Sequence, residues 1–283
     1  MRRPALLLVS AALVAVAIVV PAAAAPAQVA PTVSPAVVLP GPTTGNHFVT
    51  NLHGEVQAPR SVGFTIFDTG ASVEQIAALP QGIRALVWLG QKCPTPADAA
   101  FRATVQRLAT NPKVFGYYLS DEPHVADCPG GATALASRAS FVRAASAGTQ
   151  VSFIVLSRVE DYVAFRPTVS RVSLVGLDPY PCSVAHPTCA PSLIDEKVNA
   201  AVASFARSRI VPVYQAFGQS ATASPYYNLP TTAQMSTMLA RWTALVPSPA
   251  MDYTYGWGHQ GSSNPTLIDS AALQGVLRSY FAS

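Results

Sequence analysis

Four of the fourteen acidic residues in this chain come directly after apolar, strand-like runs: Asp68, Asp121, Glu122 and Asp178. Aromatic residues crowd the same places, in the segments GYYLSDEP, GLDPYP, YQAFG and YGWG. Carboxyl groups can donate and accept protons at a glycosidic bond, and aromatic rings stack on the faces of sugar rings. This combination points to a carbohydrate site with acid–base chemistry, although Asp-Glu-Pro and Asp-Pro are also ordinary turn and cap sequences.

Strand parity separates the candidate acids, because successive side chains of a strand point to opposite faces. In the run VFGYYLSDE, Glu122 shares its face with small and polar residues, which suits a barrel interior, and Asp121 takes the other face. Asp178 shares its face with Gly176. Asp68 shares its face with the large apolar residues Phe64 and Ile66, which suit packing under helices, so it is the weaker candidate. We therefore predict that Glu122 and Asp178 form the catalytic pair.

An alternation of strand and helix patterns must position these acids. The strand-like runs are Val62–Asp68, Ile83–Leu89, Val114–Ser120, Val151–Ser157, Val172–Asp178, Ile210–Phe217 and Met251–Trp257. The helical patterns are Val73–Leu79, Pro96–Ala109, Ala132–Ala147, Glu160–Val169, Leu193–Arg207, Thr232–Leu245 and Asp269–Phe281. Strands that alternate with helices predict a parallel sheet covered on both faces.

Eight such units close into a (β/α)₈ TIM barrel, whose usual size of about 250 residues fits the chain. We expect His47–Leu52 to supply the missing first strand, as one irregular unit at the start of a single domain over residues 46–283. A doubly wound open sheet is the alternative. It usually carries a glycine-rich phosphate loop after its first strand, and FDTGAS lacks that spacing. Active-site residues of a barrel project from the carboxyl ends of its strands.

The segments GYYLSDEP, GLDPYP, YQAFG and YGWG resemble those of the glycoside-hydrolase barrels of the large two-carboxylate clan, and most closely its secreted bacterial hydrolase-like members. The resemblance covers most of residues 60–260 and rests on short motifs. It implies that Glu122, ending the fourth strand, is the general acid/base, and that Trp257 forms the floor of a sugar subsite. At the end of the seventh strand, where the clan has its nucleophilic Glu, this chain has Gln215.

The glutamine leaves three hypotheses open, because an amide is not an effective glycosyl nucleophile. An inverting enzyme would use Asp178 as base, with its carboxyl about 6.5–9.5 Å from that of Glu122. A retaining enzyme would use Asp178 as nucleophile, at about 5–5.5 Å. In the third hypothesis, the protein is a non-catalytic carbohydrate-binding barrel at the cell surface. Among functions, a structural domain without a sugar ligand ranks after hydrolase and binding barrel as the weakest option.

Further residues at the predicted mouth are candidates for substrate binding. Sugar or carboxylate hydrogen bonds are expected from Tyr118, Tyr180 and Gln215, with Asp121 beside them, and ring stacking from Trp88, Tyr180 and Trp257. Asp252 lies early in its strand, so we expect a buried structural carboxylate there.

The amino terminus predicts secretion. Arg2 and Arg3 precede an apolar run over residues 5–20, a helix-breaking proline and an Ala-Ala-Ala cleavage pattern that places the end of a signal peptide at Ala24. The run is shorter than the roughly twenty residues of a membrane-spanning helix. Residues 25–45 are rich in Pro, Ala and Val and indicate an extended linker. We expect an extracellular or cell-wall-associated protein that no longer contacts the membrane after cleavage.

An even number of cysteines in an oxidising compartment favours disulfides. Of the three possible pairings of four cysteines, we predict Cys93–Cys128 together with Cys182–Cys189. A metal site is disfavoured because no CxxC spacing is present and only His186 lies within the second loop.

Composition excludes several function classes. Charged residues make up 11%, and the formal charge of +4 falls to +2 once Arg2 and Arg3 are removed, so nucleic acid is not an expected partner. The chain has no GxSxG nucleophile elbow, no HExxH zinc motif and no glycine-rich nucleotide loop. We therefore expect a monomer that binds carbohydrate and needs no cofactor or metal.

Overall fold

The computed structural model describes residues 44–260 and 263–283. The predicted signal peptide and the linker up to residue 43 lie outside the described residues, so both stay predictions. Within the described ranges, no helix is both long and apolar enough to cross a membrane.

Eight parallel strands form a closed barrel in which each strand pairs with its neighbours in the chain and the last pairs with the first. The strands are β1 His47–Val49, β2 Ile66–Thr69, β3 Arg84–Trp88, β4 Val114–Asp121, β5 Val151–Leu156, β6 Leu174–Leu177, β7 Ile210–Gln215 and β8 Asp252–Tyr255. The predicted (β/α)₈ barrel is confirmed, and the strand expected within His47–Leu52 is present as the short β1.

Helices follow every strand and cover the outside of the barrel. They are α1 Gln57–Val62, α2 Val73–Ala77, α3 Ala99–Leu108, α4 Gly131–Ala145, α5 Tyr162–Phe165, α6 Pro167–Ser170, α7 Ser192–Val202, α8 Thr232–Leu245 and α9 Ala271–Phe281. Two short helices replace the single one predicted after β5, because Pro167 cannot continue a helix and instead starts a new one.

The run predicted as one strand from Val62 to Asp68 contains the end of α1 and then the shorter β2. Gly63 ends the helix with a φ of 113°, a conformation that side chains disfavour, and its N–H donates to the carbonyl of Arg60 at 3.0 Å. The sequence QAPRSV is too short to show a helical period, which is why α1 escaped prediction.

The core has two layers, one inside the barrel and one between the barrel and its helices. The interior is strongly apolar and aromatic: Phe48, Ile66, Phe153 and Tyr253 all belong to it. The prediction that large apolar residues mark the helix-facing side is therefore wrong for β2. Because Ile66 faces inward, Asp68 faces inward as well, where one carboxylate oxygen accepts the Asn51 N–H at 3.0 Å.

A bulge in β4 changes the facing of the acids after it. Tyr118 pairs with Phe153, but the register then shifts, so that Asp121 pairs with Val155, another interior residue. A bulge inserts one residue and reverses the alternation beyond it. The prediction that Asp121 points away from the barrel mouth is wrong for this reason.

Both predicted disulfides are present. Cys93–Cys128 joins the loop after β3 to the loop after β4, and Cys182–Cys189 closes a short ring within the loop after β6. Because all these loops follow strands, both crosslinks constrain the carboxyl end of the barrel, where the candidate site lies.

A buried histidine–carboxylate hydrogen bond closes the opposite end of the seam between β1 and β8. The His47 imidazole lies 2.8 Å from a carboxylate oxygen of Asp252, and both side chains are almost fully buried. The His47 ring also stacks on Phe281 of α9, with 3.9 Å between the ring centroids. The expectation that Asp252 is structural is thereby confirmed.

Candidate active site

A cleft of about 550 Å³ opens at the carboxyl ends of the strands. Its walls carry two acids and five aromatic residues: Asp121, Glu122, Tyr180, Phe217, Tyr227, Tyr253 and Tyr255. Loops after β1, β6, β7 and β8 build its rim. This is the end of a barrel at which enzyme sites form.

Glu122 enters the cleft because of its backbone conformation. It follows β4 directly and has a φ of 46°, in the left-handed region that non-glycine residues seldom adopt. Its N–H donates to the carbonyl of Val155 at 3.1 Å, which keeps the residue attached to β5. A strained residue held by a neighbouring strand is typical of a functional site, where its side chain must be aimed.

The loop after Glu122 has a second, buried anchor. The His124 imidazole lies 2.8 Å from one carboxylate oxygen of Asp161, and the other oxygen accepts the Val125 N–H at 2.9 Å. Both side chains of the pair are nearly inaccessible to solvent. This contact fixes the β4–α4 loop against the segment after β5, so Glu122 is held from both sides.

Asp178 lies beneath Glu122 rather than beside it in the cleft. Its side chain is buried, with the residue 4% exposed. Among the described residues, no N–H or O–H group donates a hydrogen bond to either of its carboxylate oxygens. The Glu122 carboxyl lies within hydrogen-bonding reach. Burial raises the pKa of Asp178 well above its usual range, and the contact with Glu122 and the charges of Glu122 and Asp121 raise it further.

The role predicted for Asp178 as base or nucleophile stays a prediction, and its burial is the observation that bears on it. Asp178 is also absent from the cleft lining. A buried carboxyl next to Glu122 can influence a substrate in the cleft through that neighbour.

Asp121 is the second carboxylate that lines the cleft. The Tyr118 hydroxyl donates to it at 2.5 Å. Desolvation raises the pKa of Asp121; the hydrogen bond from Tyr118 lowers it and the charge of Glu122 raises it again. Tyr118 itself is almost fully buried among interior aromatic residues. Of the sugar or carboxylate hydrogen bonds expected from Tyr118, the structure has the one to a carboxylate, because its hydroxyl orients Asp121.

Gln215 is a structural clamp and does not contact the cleft. Its side-chain oxygen accepts the Cys182 N–H at 2.9 Å, and its side-chain nitrogen donates to the carbonyls of Cys182 at 2.8 Å and Asn228 at 3.0 Å. The residue is fully buried. The prediction that Gln215 binds substrate is therefore wrong: its hydrogen bonds hold the loops after β6 and β7 together.

The aromatic wall combines one predicted residue with several that sequence reasoning missed. Tyr180 packs edge-on against Phe217, with 4.9 Å between ring centroids, and Phe217 packs in the same way on Tyr227 and Tyr255 at 5.2 Å. Phe217 and Tyr255 lie within the segments YQAFG and YGWG, so their types and positions were a usable signal. Tyr227 comes from a long loop whose path the sequence does not reveal.

The two tryptophans predicted to stack on sugar have opposite environments. Trp88 is 45% exposed at the end of β3 and packs edge-on against Tyr118 at 4.8 Å, beside the cleft. Trp257 is 1% exposed and belongs to the layer between barrel and helices, next to Phe64. The expectation that Trp257 forms the floor of a subsite is wrong, because helix packing covers its ring.

The described residues contain no group of three or more His, Cys, Asp or Glu side chains arranged to hold a metal ion. The chemistry available in the cleft is therefore that of two carboxyl groups, a buried third carboxyl behind them, and aromatic and amide side chains.

Comparison with known proteins identifies the fold. No family model matches the sequence, and no curated protein matches it. Similar solved structures include a chitinase from Bacteroides thetaiotaomicron, with 12% identity and a TM-score of 0.57 over 84% of this chain and 97% of that one. A chitinase from Chromobacterium violaceum ATCC 12472 has 11% identity and a TM-score of 0.55 over 84% of this chain and 99% of that one. The spore cortex-lytic enzyme SleL of Bacillus cereus has 10% identity and a TM-score of 0.56 over 85% of this chain and 75% of that one.

Proposed function

We propose that this protein is a secreted glycoside hydrolase that acts on an extracellular or cell-wall polysaccharide, with Glu122 as the general acid. The supporting observation is that Glu122 lines the cleft at the carboxyl end of the barrel while it contacts the buried Asp178. Two carboxyl groups in contact, one of them desolvated, keep a proton at a pH where an isolated carboxyl group would have lost it.

The shared proton is the one we assign to catalysis. Full ionisation of the pair would place the negative charges of Glu122 and Asp178 next to each other. The Asp178 carboxylate would then be buried without a hydrogen-bond donor. The pair therefore holds its last proton more tightly than an isolated carboxyl group does, and it gives that proton to the glycosidic oxygen as the bond to the anomeric carbon breaks. Glu122 delivers the proton because it alone of the two lines the cleft, and Asp178 acts through it as a positioning residue.

Asp121 supplies the second carboxylate on the substrate side. It shares the cleft wall with Glu122 and is oriented by the Tyr118 hydroxyl. An ionised carboxylate there stabilises the positive charge that develops on the sugar ring and can orient an attacking water. This assignment replaces Asp178 as the group that faces the anomeric carbon.

The shape of the cleft suits a sugar chain. Tyr180, Phe217, Tyr227 and Tyr255 offer ring faces and edges, Tyr180 and Tyr255 add hydroxyl groups, and Trp88 stands exposed nearby. The same fold carries chitinases and a spore cortex-lytic enzyme. We therefore place chitin and bacterial wall glycans first among substrates to be tested, with glucans after them.

Secretion is part of the proposal because two disulfides require an oxidising compartment. The amino-terminal sequence has the pattern of a signal peptide that ends at Ala24. Amino-terminal sequencing of the protein recovered from culture medium tests this directly, with Ala25 or a close neighbour as the expected first residue.

A non-catalytic carbohydrate-binding barrel is the second candidate, and the environment of Gln215 favours it. The position at which related barrels have a nucleophile is locked into backbone hydrogen bonds here. A panel of chitin, wall glycan and glucan substrates separates the two functions when wild type is compared with Glu122→Gln. A hydrolase loses turnover in the variant and retains binding, whereas a binding barrel turns over nothing in either form.

A further inference from the structure

A second groove, of about 980 Å³, lies at the opposite end of the barrel from the cleft. Its lining comes from the end of α4, the turn after α6 and the segment before β7, which lead into the amino ends of β5, β6 and β7. The cleft opens at the carboxyl ends of the strands. A ligand held in this groove therefore leaves the cleft free.

Three arginines from three separate elements meet in the groove: Arg143, Arg171 and Arg209. No Asp or Glu occurs among the described residues that line it, and the ion pairs found in the described ranges involve none of the three. The Arg209 guanidinium donates to the carbonyl of Ser173 at 2.9 Å, which orients it along the groove wall. Three unpaired positive charges in one groove form an electrostatic site for anions.

Arg171 ends the short helix α6. It has a φ of 62°, in the left-handed region where glycine or asparagine would be favoured at the end of a short helix. Its side chain joins the groove, where the hydroxyls of Ser140 and Thr168 add neutral donors and Phe205 provides an apolar floor.

We propose that this groove binds an extended polyanion whose repeating units carry phosphodiester groups without nucleobases. A guanidinium group binds phosphate oxygens in a bidentate manner and stays charged at every physiological pH. Three such groups on different elements match a repeating charge better than one compact anion, and the apolar floor accommodates the neutral part of each unit. Phe205 is the only aromatic residue in the lining, so a base-stacking platform is absent from the described groove.

Binding of fluorescently labelled poly(glycerol phosphate), a phosphodiester chain without nucleobases, tests the proposal when it is followed by anisotropy over a series of salt concentrations. We expect wild-type protein to bind with an affinity that falls steeply with salt, because each neutralised phosphate releases counterions. The triple variant Arg143→Gln, Arg171→Gln, Arg209→Gln should bind at least about tenfold more weakly, with a salt slope reduced by about three.

A matched control removes the same charge elsewhere: Arg60→Gln, Arg107→Gln, Arg278→Gln on α1, α3 and α9. This protein should bind like wild type, and equal losses in the two triple variants would overturn the proposal. Tighter binding of polyglutamate than of poly(glycerol phosphate) would overturn the assignment to phosphate groups, and tighter binding of oligothymidylate would overturn the assignment to chains without nucleobases. The single variant Arg143→Gln, whose exposed side chain contributes little to folding, should weaken binding by itself, so the test stands even if the triple variant is unstable.

Discussion

Gln215 exchanges two hydrogen bonds with the backbone of Cys182, at 2.9 Å to the N–H and 2.8 Å to the carbonyl. Cys182 begins the disulfide ring of the β6–α7 loop, and Tyr180 lies two residues before it. The side chain at the end of β7 therefore shapes the cleft from behind, through the loop that carries Tyr180. A residue that resemblance alone would place among the reacting groups has a wholly structural role.

Gln215→Glu is expected to destabilise the protein without creating a nucleophile. A carboxylate can accept the Cys182 N–H but cannot donate to the carbonyls of Cys182 and Asn228, so buried acceptors lose their partner. We expect a loss of about 1–3 kcal/mol in the free energy of unfolding, measured by denaturant titration. Gln234→Glu is the control, because glutamate keeps the acceptor for the Thr231 N–H in the capping box and loses only an exposed hydrogen bond to the Pro187 carbonyl. A gain of hydrolytic activity in Gln215→Glu would contradict the assignment of Gln215 to a purely structural role.

Glu122→Gln and Asp178→Asn should affect the reaction differently if Asp178 acts only through Glu122. Loss of the general acid is expected to lower kcat by about 10²-fold or more. Asp178→Asn removes the buried carboxyl group whose pKa is raised, so the alkaline limb of the kcat profile should move to lower pH. Substrate binding should persist in both variants. An Asp178→Asn enzyme with an unchanged pH profile would show that the buried acid does not control the proton.

The pH dependence of stability gives a test of Asp178 that needs no substrate. Because its pKa is raised in the folded protein, the native state binds a proton that the unfolded chain has released. Stability therefore falls as the pH rises from about 4, the unfolded value for Asp, towards the folded pKa. Asp178→Asn should flatten this fall in a series of thermal unfolding midpoints, whereas the exposed Asp127→Asn should not. Parallel wild-type and Asp178→Asn curves would refute the assigned burial.

The fold and part of the site were predictable from the sequence for identifiable reasons. The alternation of strands and helices has a strong period, and the motif around Glu122 ends a strand, so the barrel and one cleft acid followed directly. The direction of the Asp121 side chain was not predictable, because a bulge in β4 reverses the alternation of side chains beyond it. The direction of the Asp68 side chain was not predictable, because apolar residues fill the barrel interior as well as the layer under the helices. The predictions that Trp257 and Gln215 contact a sugar failed for a shared reason. Both side chains are buried by segments that are distant in the sequence, and the local pattern does not show such burial.

Trp88 and Trp257 should respond in opposite ways to substitution. The chain has three tryptophans, Trp88, Trp242 and Trp257, and only Trp88 is exposed. A sugar that stacks on Trp88 should change the intrinsic fluorescence, and Trp88→Phe should abolish most of that change while unfolding like wild type. Trp257→Ala should instead cost about 3–5 kcal/mol of stability, because it empties a closely packed site between barrel and helices. If the fluorescence change on binding survives in Trp88→Phe, Trp88 lies outside the bound sugar, and the subsites are confined to the tyrosine-lined cleft.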